Sequence, residues 1–432
     1  MGKDKRIIAV GDDDQCINNF EDLAKAEIQN MAHFREYFKA ESIADKEVTY
    51  AEYSLLDNYR SAPNIVNFAN CFVSNFKEQR LKQEPLKSIK KEHGYIRIQK
   101  YITQGAFLQD VVTDAISEYK IHPSTKIIVL FYSNSEVLDA YTLFAETGMK
   151  VSYIIDEDGF KLGNLVELQD FQLMWKASGS FNEAKQLVSD KYKNSKNFKI
   201  AKQVIDSFYN EHGTEIDSAQ THFWTIFIGY LNEIKFKDFA SSKHGITVST
   251  MHKAKGTEFD SVFMGVKSNE QNEYFLRLLY VAITRAKTNL SIYSNNQIFD
   301  QYQNRVDDYS INECQMASPN KIIFIMGLKD IYLSNEMAQQ NIALTNPFAG
   351  EIVQIELYSI GGIARILIKK QAKVIASLSS PKDNLFAGIN NYYTKGYTLL
   401  PECEIEYIVC WTHPETKKIY KQVLCKIFMQ KS

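Results

Sequence analysis

Several stretches of this chain concentrate groups able to handle charge. Gly11-Asp12-Asp13-Asp14-Gln15 sets carboxylates and a carboxamide in succession, and Asn58-Tyr59-Arg60-Ser61 places an aromatic ring beside a guanidinium. Thr250 to Phe259, TMHKAKGTEF, mixes a hydroxyl, an imidazole, ammonium groups and a carboxylate around Gly256. Thr284-Arg285-Ala286-Lys287 adds a second guanidinium. A guanidinium stays ionised and grips phosphate oxygens in pairs, so Arg60 and Arg285 suit phosphate. Successive carboxylates at a strand end can bind Mg²⁺, but an acidic turn is their commoner meaning. The spacing also lacks the D-x-D-x-[DN]-G of a calcium loop.

These groups need a sheet to carry them. Ile246–Ser249 alternates like a strand and Val262–Val266 is a second apolar run, so the polar loop between them sits over a carboxyl edge. Arg6–Val10 reads as a buried parallel strand running into the acidic stretch. Gly94–Tyr101 and Val151–Ile155 read as strands, Phe107–Tyr119 as a helix. Lys126–Tyr132 reads as a buried strand, followed by a helix that Ser135 caps and that closes at Gly148. Ser61 with Pro63 predicts a capped helix start, Glu273 and Arg277 pair at i,i+4, and Leu290–Tyr293 closes the sheet. Strand-helix-strand of these lengths predicts an α/β fold with a parallel, doubly wound sheet.

From Leu165 to Phe239 the pattern becomes helical and aromatic, with Met174, Trp175, Phe223, Trp224 and Phe227 as a helical core. The basic stretch Lys185–Lys202 reads as a solvated helix face. Short strands then follow: Glu351–Tyr358, Ile363–Lys369, Val374–Ala376, Glu404–Trp411 and Tyr420–Met429, the last two joined by a loop at His413–Thr416. They predict a small C-terminal all-β, barrel-like domain.

The chain has 432 residues, 45% hydrophobic and 24% charged, which fits two or three folded domains rather than disorder. With a net charge of -2, any nucleic-acid groove must be local. The six cysteines form no C-x-x-C pair, which points to a reduced, cytoplasmic setting. No apolar run approaches the roughly 20 residues of a membrane helix, and no membrane partner is expected.

TMHKAKGTEFDSVF resembles motif V of the UvrD/Rep/PcrA-type superfamily 1 helicases, T-x-H-x-A-K-G-L-E-[FW]-x-x-V, with Thr257 where the family carries Leu. VGDDDQ resembles motif III, VGDxxQSIYxFRGA, although Asn18, Glu21 and Asp22 stand where the family has Tyr, Arg and Gly. NYRS resembles motif IV, and Leu278–Lys287, LLYVAITRAK, resembles motif VI, although the E-E-R-R before it is mostly replaced by Tyr274, Phe275 and Leu276. The motifs occur in family order between Arg6 and Tyr293.

The resemblance implies a RecA-like second motor domain with a shortened helical insertion. It implies Gln15, Arg60 and Arg285 at the γ-phosphate, Arg285 near a helix end and free to reach a neighbouring domain. It implies Tyr59 on adenine, Gly256 where the backbone approaches nucleotide, and Glu258 on the ribose hydroxyl. Phe20, Asn134, Thr250 and His252 would meet single-stranded or partly duplex DNA, and no metal ligand is assigned within the chain.

Such a motor also needs a G-x-x-x-x-G-K-[ST] loop and an Asp-Glu strand that holds Mg²⁺. The first does not occur in this sequence, and Asp156-Glu157, which follows motif IV, reads as a surface turn with Asp158 and Gly159. The expectation is therefore the C-terminal part of an ATP-dependent DNA helicase of repair or replication, its Walker A and B motifs in a preceding motor half. ATP and Mg²⁺ would be cofactors of the intact polypeptide, and this chain alone would be inactive. The expected layout is a motor-domain remnant at 1–53, the second motor domain at 54–164 and 241–304, the insertion at 165–240 and the β domain at 321–432. The alternative is a non-catalytic nucleic-acid or protein-binding module on a degenerate helicase scaffold. A RecB-like nuclease is disfavoured, since no acidic cluster followed by Lys stands after motif VI.

Overall fold

In the computed structural model of the chain, the described residues are 7–17, 30–44, 51–76, 80, 82, 84–102, 107–149, 151–154, 160–216, 220–234, 245–267, 270, 272–313, 319–360, 363–378 and 385–432. They fall into two units, residues 1–154 with 243–318 and residues 155–242 with 319–432.

In the first unit the strands are β1 (Asp57–Asn58), β2 (Lys87–Ser88), β3 (Tyr95–Tyr101), β4 (Lys126–Phe131), β5 (Ser152–Ile154), β6 (Gly245–Thr250), β7 (Phe259–Val266), β8 (Ala286–Ser294) and β9 (Asp308–Asn312). Numbered along the whole chain, its helices are α1 (Asn30–Ala44), α2 (Pro63–Phe72), α3 (Leu108–Ile121), α4 (Asn134–Glu146) and α9 (Glu273–Ile283). Seven strands pair in the order β5-β6-β4-β7-β8-β3-β9, and every pairing is parallel. β4 lies beside β6 with Val129 opposite Val248, so Lys126–Phe131 and Ile246–Ser249 share one sheet as expected.

A strand such as β4, apolar on both faces, requires cover on both. Ile128 and Leu130 join the core that contains Ile65 and Phe68 of α2 and Leu278 and Leu279 of α9. Ile127, Val129 and Phe131 face the opposite way, into Val111 and Val112 of α3 and Val137 and Ala140 of α4. In β7, Gly265 leaves room for the rings of Phe131 and Phe107.

Several local expectations are corrected. Residues 7–10 are exposed and outside any strand of the described residues, so Ile7–Val10 is not a buried strand here. An apolar run becomes a strand only where a sheet edge receives it. Ser133, not Ser135, caps α4, in a reciprocal box with Glu136. Ser61 does not cap α2, since its hydroxyl donates to the Ala286 carbonyl at 2.6 Å. The sheet does not close at β8, for β3 and β9 lie beyond it. Arg6, Asn18, Phe20, Glu21, Asp22 and the Asp156–Gly159 turn lie outside the described residues.

The second unit contains α5 (Val166–Ser178), α6 (Phe181–Tyr192), α7 (Phe198–Ile216), α8 (Gln220–Glu233), α10 (Glu336–Thr345) and α11 (Leu385–Thr394). Its strands are β10 (Lys321–Ile325), β11 (Ile352–Ile360), β12 (Ile363–Lys370), β13 (Lys373–Ser377), β14 (Tyr397–Thr412) and β15 (Ile419–Lys431). They form an antiparallel sheet in the order β10-β15-β14-β11-β12-β13. The expected all-β make-up is corrected, because helices α10 and α11 interrupt the strands; the ladder runs from β10 to β13, and along the β13 edge Tyr332 N–H donates to the Ser377 carbonyl at 2.9 Å beside an isolated bridge from Ile331 to Leu378. Phe171, Trp175, Phe208 and Phe227 of the helices share one hydrophobic core with Val423, Leu424 and Ile427 of β15. Met174 packs against that core, while the side chains of Phe223 and Trp224 lie outside the described ones. In the basic stretch, Lys185, Lys191 and Lys196 pair with Asp206, Asp170 and both Glu404 and Glu406. Lysines neutralised in this way offer little to a phosphate backbone.

Glu167 of α5 is a buried carboxyl. One oxygen accepts from the Ser195 hydroxyl at 2.5 Å and the other has no hydrogen-bond partner. Burial pushes its pKa up against the Ser195 bond and the Lys421 charge, with Asp170 adding to the rise. A carboxyl with a raised folded pKa gives stability that is full below its unfolded value and lost as pH rises through the folded one. Glu167→Gln should therefore raise the unfolding free energy by about 1 kcal/mol at pH 8 and hardly change it at pH 4. Urea denaturation followed by tryptophan fluorescence tests this, and an equal effect at both pH values would refute it.

Candidate nucleotide cleft

The site grows from how neighbouring strands end. In the β6–β7 loop Gly256 adopts φ +84°, the left-handed conformation that glycine enters freely. The Thr257 hydroxyl donates to the Ala254 carbonyl at 2.6 Å and tightens the turn. β7 then begins beside β8, with Phe259 opposite Ala286, which brings Glu258 to Lys287 at 2.6 Å. The Asn58 carboxamide accepts from the backbone N–H groups of Arg60 at 3.0 Å and Ser61 at 2.9 Å. This Asx turn presents Arg60, whose Nε donates to Glu258 at 3.0 Å and whose Nη1 donates to the Thr284 carbonyl at 3.3 Å. Lys287 foremost, with Arg60 adding to it, holds the Glu258 carboxyl below its ordinary pKa despite some desolvation.

The acidic stretch forms a short 3-10 turn, Asp13–Gln15, capped by the Asp12 side chain. Gln15 Nε2 donates to Asp12 at 2.6 Å, and Gln15 Oε1 accepts from Arg285 Nη2 at 2.9 Å. Arg285 is 2% exposed and also donates to Val281 O, Thr257 O and Thr284 Oγ1 at 2.9 to 3.0 Å. Burial, then the nearby Arg60 charge, lowers its pKa to about 10, which leaves it ionised at neutral pH. The expectation that Arg285 is free to reach outward is corrected: its guanidinium is held inside this unit, against Gln15.

Asp12, Gln15, Asp57, Tyr59, Arg60 and Glu258 line a cleft of about 550 Å³, together with Leu55, Asn58, Lys82, Leu86, Lys90 and Lys287. Tyr59 is 71% exposed, so a face of its ring is open for stacking. Leu55 and Leu86 supply apolar wall. Sequence reasoning missed Lys82 and Lys90, which lie in a connection without a motif; the basic residues between Arg80 and Lys91 were the only signal.

The residues assigned to DNA lie elsewhere in the unit, and none of the described ones lines this cleft. Asn134 accepts from Lys253 Nζ at 3.2 Å, His252 Nε2 lies 2.7 Å from the Tyr274 hydroxyl, and Thr250 is buried at the end of β6. Thr250 pairs with Phe131, so these groups share the carboxyl edge of β4 and β6. Phe20 is outside the described residues.

The carboxylates of Asp12, Asp13 and Asp14 lie within 4.8 Å of one another. Asp14, however, takes two 2.7 Å bonds from Arg80, and Lys82 reaches Asp12 at 2.6 Å and Asp14 at 3.4 Å. Charge already met by organic cations fits a structural turn better than a divalent metal.

No helix among the described residues is long and apolar enough to cross a membrane. No curated protein matches the chain. Among solved structures it is similar to the C-terminal domain of a possible DNA helicase from Lactobacillus plantarum WCFS1, at 14% identity and TM-score 0.29, over 59% of this chain and 99% of that one. The UvrD-like helicase C-terminal domain family matches residues 245–293, from the start of β6 through most of β8. Those residues carry the Gly256 loop, Glu258, Arg285 and Lys287, so the similarity to the UvrD-like helicase C-terminal domain falls on the strands and loops that build the cleft.

Proposed function

We propose that this chain is the C-terminal part of an ATP-dependent DNA helicase or translocase of the UvrD type, acting on single-stranded DNA in repair or replication. Its first unit contributes one wall of the nucleotide site. The observation that carries this reading is the cleft itself, where Tyr59, Arg60, Glu258 and Gln15 converge from separate parts of the sequence. Tyr59 offers a ring to adenine, Glu258 an acceptor to a ribose hydroxyl, and Arg60 a charge to phosphate. The Gly-rich loop and Mg²⁺, which dominate phosphate binding in such motors, would come from a preceding motor half. Mg²⁺ would supply charge neutralisation at the phosphates. DNA would run along the edge that carries Asn134, Thr250 and His252.

The test is a ligand-observed NMR titration of this chain with ADP. The expected dissociation constant is of order 1 mM, since only one wall is present. Tyr59→Ala should weaken it by roughly fivefold or more, the worth of one stacking contact. Absence of ADP binding, or binding indifferent to Tyr59→Ala, would remove this reading. The chain alone should not hydrolyse ATP. Joined to a segment with the phosphate loop and Asp-Glu strand, it should show DNA-stimulated hydrolysis.

A further inference from the structure

The Asp12–Gln15 turn is fastened from outside itself by cationic side chains. Lys82 reaches Asp12 at 2.6 Å, Arg277 donates to the Asp13 carbonyl, and Arg80 takes both oxygens of Asp14 at 2.7 Å. Lys255 donates to the Gln15 carbonyl at 3.0 Å, and Arg285 to the Gln15 side chain. Arg277, Lys255 and Arg285 lie in or beside stretches already read for chemistry. Arg80 and Lys82 belong to none of them.

A turn this short has few internal bonds, so its outside anchors bear on where it stands. Within it the backbone makes Gln15 N to Asp12 O at 3.2 Å and Cys16 N to Asp13 O at 3.1 Å, and the Asp12 side chain accepts from Asp14 N at 3.2 Å and Gln15 Nε2 at 2.6 Å. A bidentate guanidinium–carboxylate pair fixes angle as well as distance, which a lysine ammonium cannot. Asp14 is 0% exposed, so its anchor is not one that water competes away. Burial alone pushes the Asp14 pKa up, but the Arg80 bonds and the Lys82 charge outweigh it and hold the carboxyl below its ordinary range. The pair is therefore ionised at neutral pH.

We propose that Arg80 is a positioning residue for the terminal phosphate of a nucleoside triphosphate. Acting through Asp14, it sets where the Gln15 carboxamide stands at the cleft, and so sets the preference for triphosphate over diphosphate. The inference rests on the nucleotide reading of the cleft and adds to it a residue outside every recognisable motif. Gln15 lines the cleft and Arg80 does not, so Arg80 acts on ligand at second hand, through the turn that its Asp14 pair holds.

The experiment compares ADP with AMP-PNP, a hydrolysis-resistant triphosphate, by the same NMR titration. The unmodified chain should favour AMP-PNP by roughly fivefold, the worth of about one hydrogen bond to phosphate. In Arg80→Ala the ratio should collapse to within about twofold of unity, because AMP-PNP loses far more affinity than ADP. Arg80→Lys keeps the charge without the fork and should give an intermediate ratio, which also covers the case in which Arg80→Ala does not fold. If ADP binds in a Tyr59-dependent way while the two nucleotides bind equally, or Arg80→Ala and Arg80→Lys retain the full ratio, the role of Arg80 is overturned and the nucleotide reading stands. If neither nucleotide binds, both fall.

Discussion

Arg285→Ala should lower the unfolding free energy of the unit formed by residues 1–154 and 243–318 by about 3 kcal/mol. An arginine that merely reached across a gap would cost almost nothing to remove. Here the side chain is enclosed and donates to two carbonyls, a hydroxyl and the Gln15 carboxamide. Alanine leaves Thr257 O and Gln15 Oε1 without those donors and opens a cavity, while relief of the buried charge returns part of the loss. Arg285→Lys should lie between, since one ammonium cannot serve the same directions. Trp175, Trp224 and Trp411, the three tryptophans, all lie in the other unit. Hydrogen exchange of the β6 and β7 amides must therefore report the change. Protection in Arg285→Ala equal to that of the unmodified chain would contradict a structural role.

Gly265→Ala should cost about as much, roughly 3 kcal/mol, through sterics alone. A Cβ there would stand 2.5 Å from Phe131 Cε1 and 2.7 Å from Phe107 Cε2, distances that no rotamer of alanine relieves. Both rings are buried, one in β4 and one at the start of α3, so a shift in either disturbs the face they share. Gly256→Ala gives the contrast. Its Cβ would meet nothing within 4 Å, and only the left-handed backbone opposes it, at about 1 kcal/mol. Phe107→Leu added to Gly265→Ala should recover part of the loss. Equal urea midpoints for the two glycine variants would show that packing at Gly265 is looser than the contacts imply.

Legibility followed the range of the interactions. β4, β6 and β7 could be read because a strand covered on both faces must be apolar throughout, and that pattern is local. Tyr59, Arg60 and Glu258, which the motif resemblance singles out, line one cleft because each stands in a loop at a strand end. What escaped was set by distant partners. Ser61 has the composition of a cap, yet its hydroxyl is drawn to the Ala286 carbonyl, 225 positions away. Arg285 looked mobile because nothing beside it announces that the Gln15 turn will cover it, 270 positions off. The all-β reading of the tail failed for a similar reason. Alternating strands report that a sheet forms, and a short helix between them, such as α11, can pass for turn.

The single core that α5–α8 share with β15 has a consequence for the order in which the chain is made. A ribosome delivers Phe171, Trp175 and Phe227 long before it delivers Val423 and Ile427. The unit formed by residues 1–154 and 243–318 is spanned once Ser318 is made, whereas β15 of the other follows only at residues 419–431. Between those moments the nascent chain displays aromatic helix faces whose sheet is incomplete, the kind of surface that holding chaperones bind. Translation stopped anywhere between 319 and 418 therefore yields a polypeptide whose shared core lacks β15, not one that is merely shorter.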